Sequence, residues 1–324
     1  NPMNNPAAFK KPVPYKAAHK IRLVTATSLF DGHDASINIM RRILQASGAE
    51  VVHLGHNRSA GEIVNAALQE DAQAIAITSY QGGHNEFFKY IVDLLREKGG
   101  SNIKVYGGGG GVIVPSEIKA LMDYGVARIY SPEDGATLGL QGMIDNLIQG
   151  ADYDVCALAP KPDKAIAALR SGDRRELARV ISAIENGSYD DDLRQTMRDA
   201  ADDIVTPRLG ITGTGGAGKS SLTDELVLRL RLDQADQPKI AIISIDPSRK
   251  RTGGALLGDR IRMNAIEHEN IYMRSLATRD TGSELSAALP DVIAACKLSG
   301  FDLIIVETSG IGQGDAAIVP FVDV

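Results

Sequence analysis

Residues 207–221 read Pro-Arg-Leu-Gly-Ile-Thr-Gly-Thr-Gly-Gly-Ala-Gly-Lys-Ser-Ser, and no other stretch of this chain restricts its fold so tightly. From Gly213 to Ser220 it matches G-x-x-x-x-G-K-[ST], with an apolar strand predicted before it and a helix after it. Gly213, Gly215, Gly216, Ala217 and Gly218 let successive backbone N–H groups turn toward a phosphate without obstructing side chains. Lys219 would reach the β- and γ-phosphates, and the Ser220 hydroxyl would hold Mg²⁺. Ser221 shares the first turn of the predicted helix, whose positive dipole end adds to the site.

A phosphate loop needs an acid on a neighbouring strand to hold the metal or its water. "DLIIVETSGIGQ" supplies Glu307 at the end of an apolar run, with Gly310 at the D-x-x-G spacing of GTPases and Glu in place of the usual Asp. The backbone N–H of Gly310 could face the γ-phosphate. Asp246 ends another apolar run, Ile240 to Ile245, and Asp259 follows in a Gly-rich loop. Lys219 and Glu307 are the catalytic candidates of this half.

The first half alternates differently. Short apolar runs at 21–26, 51–54, 74–77, 103–106 and 127–130 are separated by helical spacing. Such runs are strands of a parallel sheet covered on both faces, so the expected fold is α/β: a flavodoxin-like, doubly wound domain with its ligands beyond the C-terminal strand ends. Residues 150–205 are rich in Ala, Asp and Arg with helical periodicity and no strand signal. The expected division is therefore a flexible Pro-rich tail at 1–18, a first α/β domain at 19–149, a helical linker at 150–205 and a P-loop domain at 206–324.

Charge and composition exclude several functions. With 35 Lys and Arg against 41 Asp and Glu, and no Trp, the chain has neither the basic stripe nor the stacking platform of a nucleic-acid binder. No apolar run approaches the length of a membrane span. Two distant cysteines, Cys156 and Cys296, form no disulfide framework or zinc motif, which fits a cytoplasmic protein. His53 and His56 lack a third ligand for zinc, and His84 and Glu86 are placed to cap a helix.

Three strand ends in the first half carry unusual residues. Asp31-Gly32-His33 follows the first strand, Thr78-Ser79-Tyr80 ends the third, and the glycine run 107–111 follows the fourth. The first resembles the start of D-x-H-x-x-G, the signature of base-off, His-on cobalamin mutases, with Ser36 where that signature has Gly. The second stands where that family has S-x-L, and Gly110-Gly111 stands for its glycine pair. The resemblance implies His33 as the lower axial ligand of cobalt, Asp31 as the carboxylate fixing its tautomer, and Thr78, Ser79, Gly110 and Gly111 around a buried nucleotide tail.

In the second half, "ISIDPSRKRTGGALLGDRIRM" and "VETSGIGQGD" resemble the G-proteins that chaperone adenosylcobalamin-dependent acyl-CoA mutases. That likeness places Asp246, Asp259 and Glu307, with Ser220, at a Mg²⁺ site. Together the two resemblances imply a mutase fused to its GTPase chaperone, interconverting isobutyryl-CoA and butyryl-CoA. Adenosylcobalamin, Mg²⁺ and GTP or GDP are then its cofactors. Its partners are an acyl-CoA held by a barrel domain outside this chain, a cobalamin adenosyltransferase and a second copy of itself. A stand-alone cobalamin-delivery GTPase and a corrinoid carrier or sensor are the competing readings. No N-K-x-D occurs, so the P-loop domain is expected to be incomplete at its C-terminus and the chain to be part of a longer protein.

Overall fold

The computed structural model describes residues 13–27, 39–79, 83–108, 112–213, 218–258, 260–261, 263–279, 285–308 and 317–324, and the backbone alone at 35–38. The first half is a parallel sheet of β1 (Arg22–Thr27), β2 (Glu50–His53), β3 (Ala74–Thr78), β4 (Lys104–Gly108) and β5 (Arg128–Tyr130). Their order, β5-β4-β3-β1-β2, is the doubly wound flavodoxin-like arrangement. Alternate side chains of each strand enter opposite layers. Val24, Val52, Ile75 and Ile77 pack beneath α2 (Ala60–Gln69), α3 (His84–Glu97) and α4 (Pro115–Tyr124), against Ile63, Phe88, Ile91 and Leu121. Leu23, Val51, Ala76 and Tyr106 face α1 (Ala35–Ala46) and α5 (Pro132–Ala151), against Leu44, Ile144 and Leu147. Ser59 caps α2 by accepting from Glu62 N at 3.2 Å, closing the Ser-x-x-Glu motif.

Helices α6 (Ala165–Arg170), α7 (Arg174–Glu185) and α8 (Asp191–Asp202) follow. Asp173 caps α7 by accepting from the amides of Arg175 and Glu176, and Leu177, Val180, Ile181 and Ile184 bury its apolar stripe. Of the Pro-rich segment, Tyr15 to His19 is tied down. Asp152 accepts hydrogen bonds from the Tyr15 hydroxyl and from the amides of Ala18 and His19. Partial burial raises the Asp152 pKa, but these bonds outweigh that and hold it at about 2.

The second sheet is β6 (Arg208–Thr212), β10 (Leu303–Thr308), β7 (Ile240–Asp246) and β9 (Ile271–Ala277), in that order and all parallel. Helix α9 (Lys219–Asp233) follows β6, and α10 (Leu289–Leu298) precedes β10. One strand crosses between the halves. β8 (Ala255–Leu257) leaves the second half and pairs in parallel with β2, pairing Glu50 with Ala255 and Val52 with Leu257.

A buried ion cluster fastens the halves together. Arg22 meets Glu50 at 3.0 Å, Glu70 at 3.3 Å and Glu185 at 3.0 Å. Arg260 meets Glu70 at 2.9 Å, Arg274 meets Glu185 at 2.7 Å, and Arg279 meets Glu50 at 2.9 Å. These residues come from the first sheet and the end of α2, from the linker helix α7, and from β9 and the segments after β8 and β9. Replacing Glu70 with Ala would leave Arg22 and Arg260 short of charge and strip the Ser275 amide of its acceptor, bonded at 2.8 Å. The expected loss is about 3–5 kcal/mol, read by denaturant unfolding. A loss below about 1 kcal/mol would mean that the cluster does not hold the halves together.

Glu50 gives the pH dependence of this junction. Burial raises its pKa, but Arg22 and Arg279 outweigh burial and hold it at about 2, below its ordinary 4.5. A depressed carboxylate stabilises the fold fully above its unfolded pKa. Its contribution is therefore complete above pH 4.5 and is lost as the pH falls toward 2.

Candidate functional site

The C-terminal ends of β3, β4 and β5 open into an apolar pocket of about 390 Å³. Met40 of α1, Tyr106 of β4, Tyr130 of β5 and Met143 and Leu147 of α5 form its walls, and Thr78 and Gly108 stand at its edge. Its volume and lining suit the flat, partly apolar end of a cofactor. The rings of Tyr106 and Tyr130 stack at 6.3 Å, and burial pushes both phenols above their usual range. Ser79 N donates to Gly108 O at 2.8 Å, joining the ends of β3 and β4.

The hydroxyls of Thr27 and Thr78, paired across β1 and β3, are buried and have no hydrogen-bond partner among the described residues. Such orphans are rare because each carries an unrecovered desolvation penalty, so a polar ligand entering here would relieve it. Among the sequence candidates, Thr78 and Ser79 are buried at this end. Asp31, His33, Gly110 and Gly111 lie outside the described residues. The segment carrying Asp31 and His33 connects Thr27 of β1 to Ala35 of α1. A Thr78→Val variant should bind cobalamin up to about 10-fold more weakly, the worth of one net hydrogen bond, with the free chain no less stable. Unfolding and binding titrations on one preparation separate these two effects; unchanged affinity would remove Thr78 from the site.

The second site lies across the ends of β6, β10 and β7. Gly218 caps α9 with φ +80°, a left-handed conformation that glycine alone adopts readily, and this turns the chain into the helix at Lys219. Lys219 Nζ donates to Thr308 O at 2.6 Å, which ties the first residue of α9 to the end of β10. Thr308 Oγ1 in turn donates to Thr212 Oγ1 at 2.9 Å, joining β10 to β6. Glu307 is buried and accepts from the Thr223 hydroxyl of α9. Asp246 Oδ2 accepts from Gly258 N at 2.8 Å.

Gly213, Ser220 and Ser221 flank this turn, while Gly215, Gly216, Ala217, Asp259 and Gly310 lie outside the described residues. Among the described residues no three His, Cys, Asp or Glu side chains form a metal cage. The donors present, Ser220 with Asp246 and Glu307 nearby on adjacent strands, are oxygen ligands too few to enclose an ion. They fit Mg²⁺, which keeps waters and shares phosphate oxygens with its nucleotide.

Some residues of these sites were not read from the sequence. Tyr106, Met143 and Leu147 of the pocket wall have the spacing of ordinary core, and nothing in that spacing marks a cavity. His84 does more than start α3: its Nε2 lies 2.8 Å from Glu117 Oε2 at the start of α4. His53 at the end of β2 is buried against the Thr25 hydroxyl at 2.9 Å.

The two sheets with their strand-end sites define a cobalamin-binding domain followed by a P-loop GTPase domain. Residues 21–134 match the B12 binding domain family, and residues 177–324 match methylmalonyl-CoA mutase-associated GTPase MeaB. Over 98% of its length the chain is 67% identical to the fused isobutyryl-CoA mutase of Cupriavidus metallidurans, of which it spans 29%. It is 59% identical over 96% of its length to the fused isobutyryl-CoA mutase of Geobacillus kaustophilus, again spanning 29%. The chain is thus a close relative of fused isobutyryl-CoA mutases over the portion of them that it spans.

Proposed function

We propose that this chain is the cofactor-binding and GTPase portion of an adenosylcobalamin-dependent mutase that interconverts isobutyryl-CoA and butyryl-CoA. The observation that carries the reading is the 67% and 59% identity, over nearly all of this chain, to two fused isobutyryl-CoA mutases, supported by a pocket edged by the buried Thr78 hydroxyl. Adenosylcobalamin would supply a cobalt–carbon bond whose homolysis starts radical chemistry. In this reading His33, steadied by Asp31, would bind the cobalt, and the pocket between β4 and α5 would exclude water from the nucleotide tail while Thr27, Thr78 and Ser79 would offer it hydrogen bonds.

On the GTPase side, Lys219 would neutralise the β- and γ-phosphates, and Ser220, Asp246 and Glu307 would hold Mg²⁺. Glu307 would also orient the water for attack on the γ-phosphate. The acyl-CoA binds a barrel outside this chain. Homodimer assembly, receipt of the cofactor from an adenosyltransferase and a cytoplasmic setting are supported by the family resemblance; both cysteines are free thiols, in keeping with that setting. Among the described residues no helix is long and apolar enough to cross a membrane.

The test is to titrate the chain with adenosylcobalamin and, separately, with Mg²⁺ and GTP. Saturable binding of the corrinoid with a shifted absorbance spectrum is the expected result, with only weak binding of GTP because the P-loop domain lacks its guanine-reading N-K-x-D. Absence of corrinoid binding would overturn the reading.

A further inference from the structure

Helix α5 is bent at Gly139, whose φ of +67° and ψ of 173° lie outside the helical range. That region of backbone space is open in practice to glycine alone and is strained for any other residue. Crowding does not explain the glycine, since a Cβ built there meets nothing within 4 Å. The bend itself is what requires it, and the bend falls at the rim of the apolar pocket. Pro132 and Gly135 line that pocket from before Gly139, and Leu140, Met143 and Leu147 line it from after.

The two halves of α5 are held unequally. After the bend, Ile144, Leu147, Ile148 and Ala151 are buried in the core between the helix and the sheet. Before it, none of residues 132–138 is buried. The start of that half is fastened: Ser131 Oγ accepts from Asp134 N at 3.2 Å, and Arg128 meets Asp134 at 3.0 Å. A segment with so few buried contacts rearranges at low cost. The mouth of the pocket is apolar as well. Ile39 of α1 and Leu140 of α5 line it and remain 55% and 39% exposed. Large apolar side chains left open beside an apolar cavity are surface that a ligand would cover.

We propose that Gly139 is a hinge through which residues 132–138 close over the nucleotide tail of a bound corrinoid, with Leu140 at the closing edge. This rests on the cobalamin reading above and adds the element that admits and retains the tail. Rotation about the Gly139 backbone moves the first half of α5 while Ile144, Leu147 and Ile148 stay packed, so the tail enters without opening the core. Alanine at 139 favours the helical conformation and would join the halves into one continuous helix. The cost of the bend would then fall on tail binding. A corrinoid without a tail makes no use of the bend.

The experiment titrates the chain and its Gly139→Ala variant with adenosylcobalamin and with adenosylcobinamide, which has the same corrin ring and adenosyl group but no nucleotide tail. The variant should bind adenosylcobalamin at least about 5-fold more weakly, the low end of what such a conformation costs a residue other than glycine. Its affinity for adenosylcobinamide should be unchanged. In the unmodified chain, adenosylcobalamin should slow amide hydrogen exchange over residues 133–139, and adenosylcobinamide should not. Leu140→Ala, at an exposed position, should leave the free chain as stable as before. It should weaken adenosylcobalamin binding by about 3–8-fold, the gain expected from burying the exposed two-fifths of a leucine. Its result decides if Gly139→Ala does not fold.

A folded Gly139→Ala with undiminished affinity for adenosylcobalamin would overturn the hinge while leaving the cobalamin reading intact. Equal losses for both corrinoids, undiminished affinity in Leu140→Ala, or exchange over 133–139 that ignores the tail would also overturn it. Failure of the unmodified chain to bind either corrinoid would bring down the cobalamin reading, and the hinge with it.

Discussion

Replacing Lys219 with alanine should slow GTP hydrolysis by about 10²–10³-fold, the usual consequence of losing one group that stabilises transition-state charge. Adenosylcobalamin affinity measured without nucleotide should not change. The ammonium lies at the junction of β6, β10 and α9, bonded to Thr308 O, and the tail pocket lies on a different sheet. Phosphate release and a corrinoid titration on the same preparation read both halves of this prediction. Hydrolysis at the unmodified rate would mean that Gly213 to Ser220 is a glycine-rich turn and not a nucleotide cradle.

The second large effect concerns His33. Its replacement with alanine should weaken adenosylcobalamin binding by more than the roughly 10–100-fold that follows loss of an outer-shell partner of a metal ligand. Any corrinoid retained should show an altered absorbance spectrum, because the nitrogen proposed to bind cobalt would be gone. Asp31→Asn keeps the imidazole but loses its carboxylate, and should fall within that 10–100-fold range. An unaltered spectrum and affinity in His33→Ala would remove it from the cobalt site.

The strands were legible where apolar runs were long and uninterrupted. The run 240–245 became β7 at Ile240–Asp246, and 74–77 became β3 at Ala74–Thr78. β9 escaped because Arg274 interrupts its apolar pattern, and only the structure shows that Glu185 from helix α7 meets that charge. β8 escaped for a different reason. Three residues in a Gly-rich stretch carry no strand signal, and their partner, β2, belongs to the other half of the chain. The candidate site divides the same way. Phosphate-loop glycines and Lys219 stand at fixed spacing because a phosphate dictates it, so they can be read in one dimension. The pocket walls cannot, since Met143 and Leu147 would look the same whether they bordered a void or another side chain.

The buried cluster of Arg22, Glu50, Glu70, Glu185, Arg260, Arg274 and Arg279 has a consequence for anyone dissecting the molecule. A piece ending after residue 149 would keep Arg22, Glu50 and Glu70 but lose Glu185 and three of the four arginines. Two carboxylates would then share one guanidinium, and the rim of β2 vacated by β8 would offer bare amides and carbonyls to any passing strand. The corrinoid-binding part is therefore not a detachable cassette. To live alone it would need Glu50 and Glu70 replaced by neutral residues, and a charge or proline placed along β2 to keep copies from zipping together.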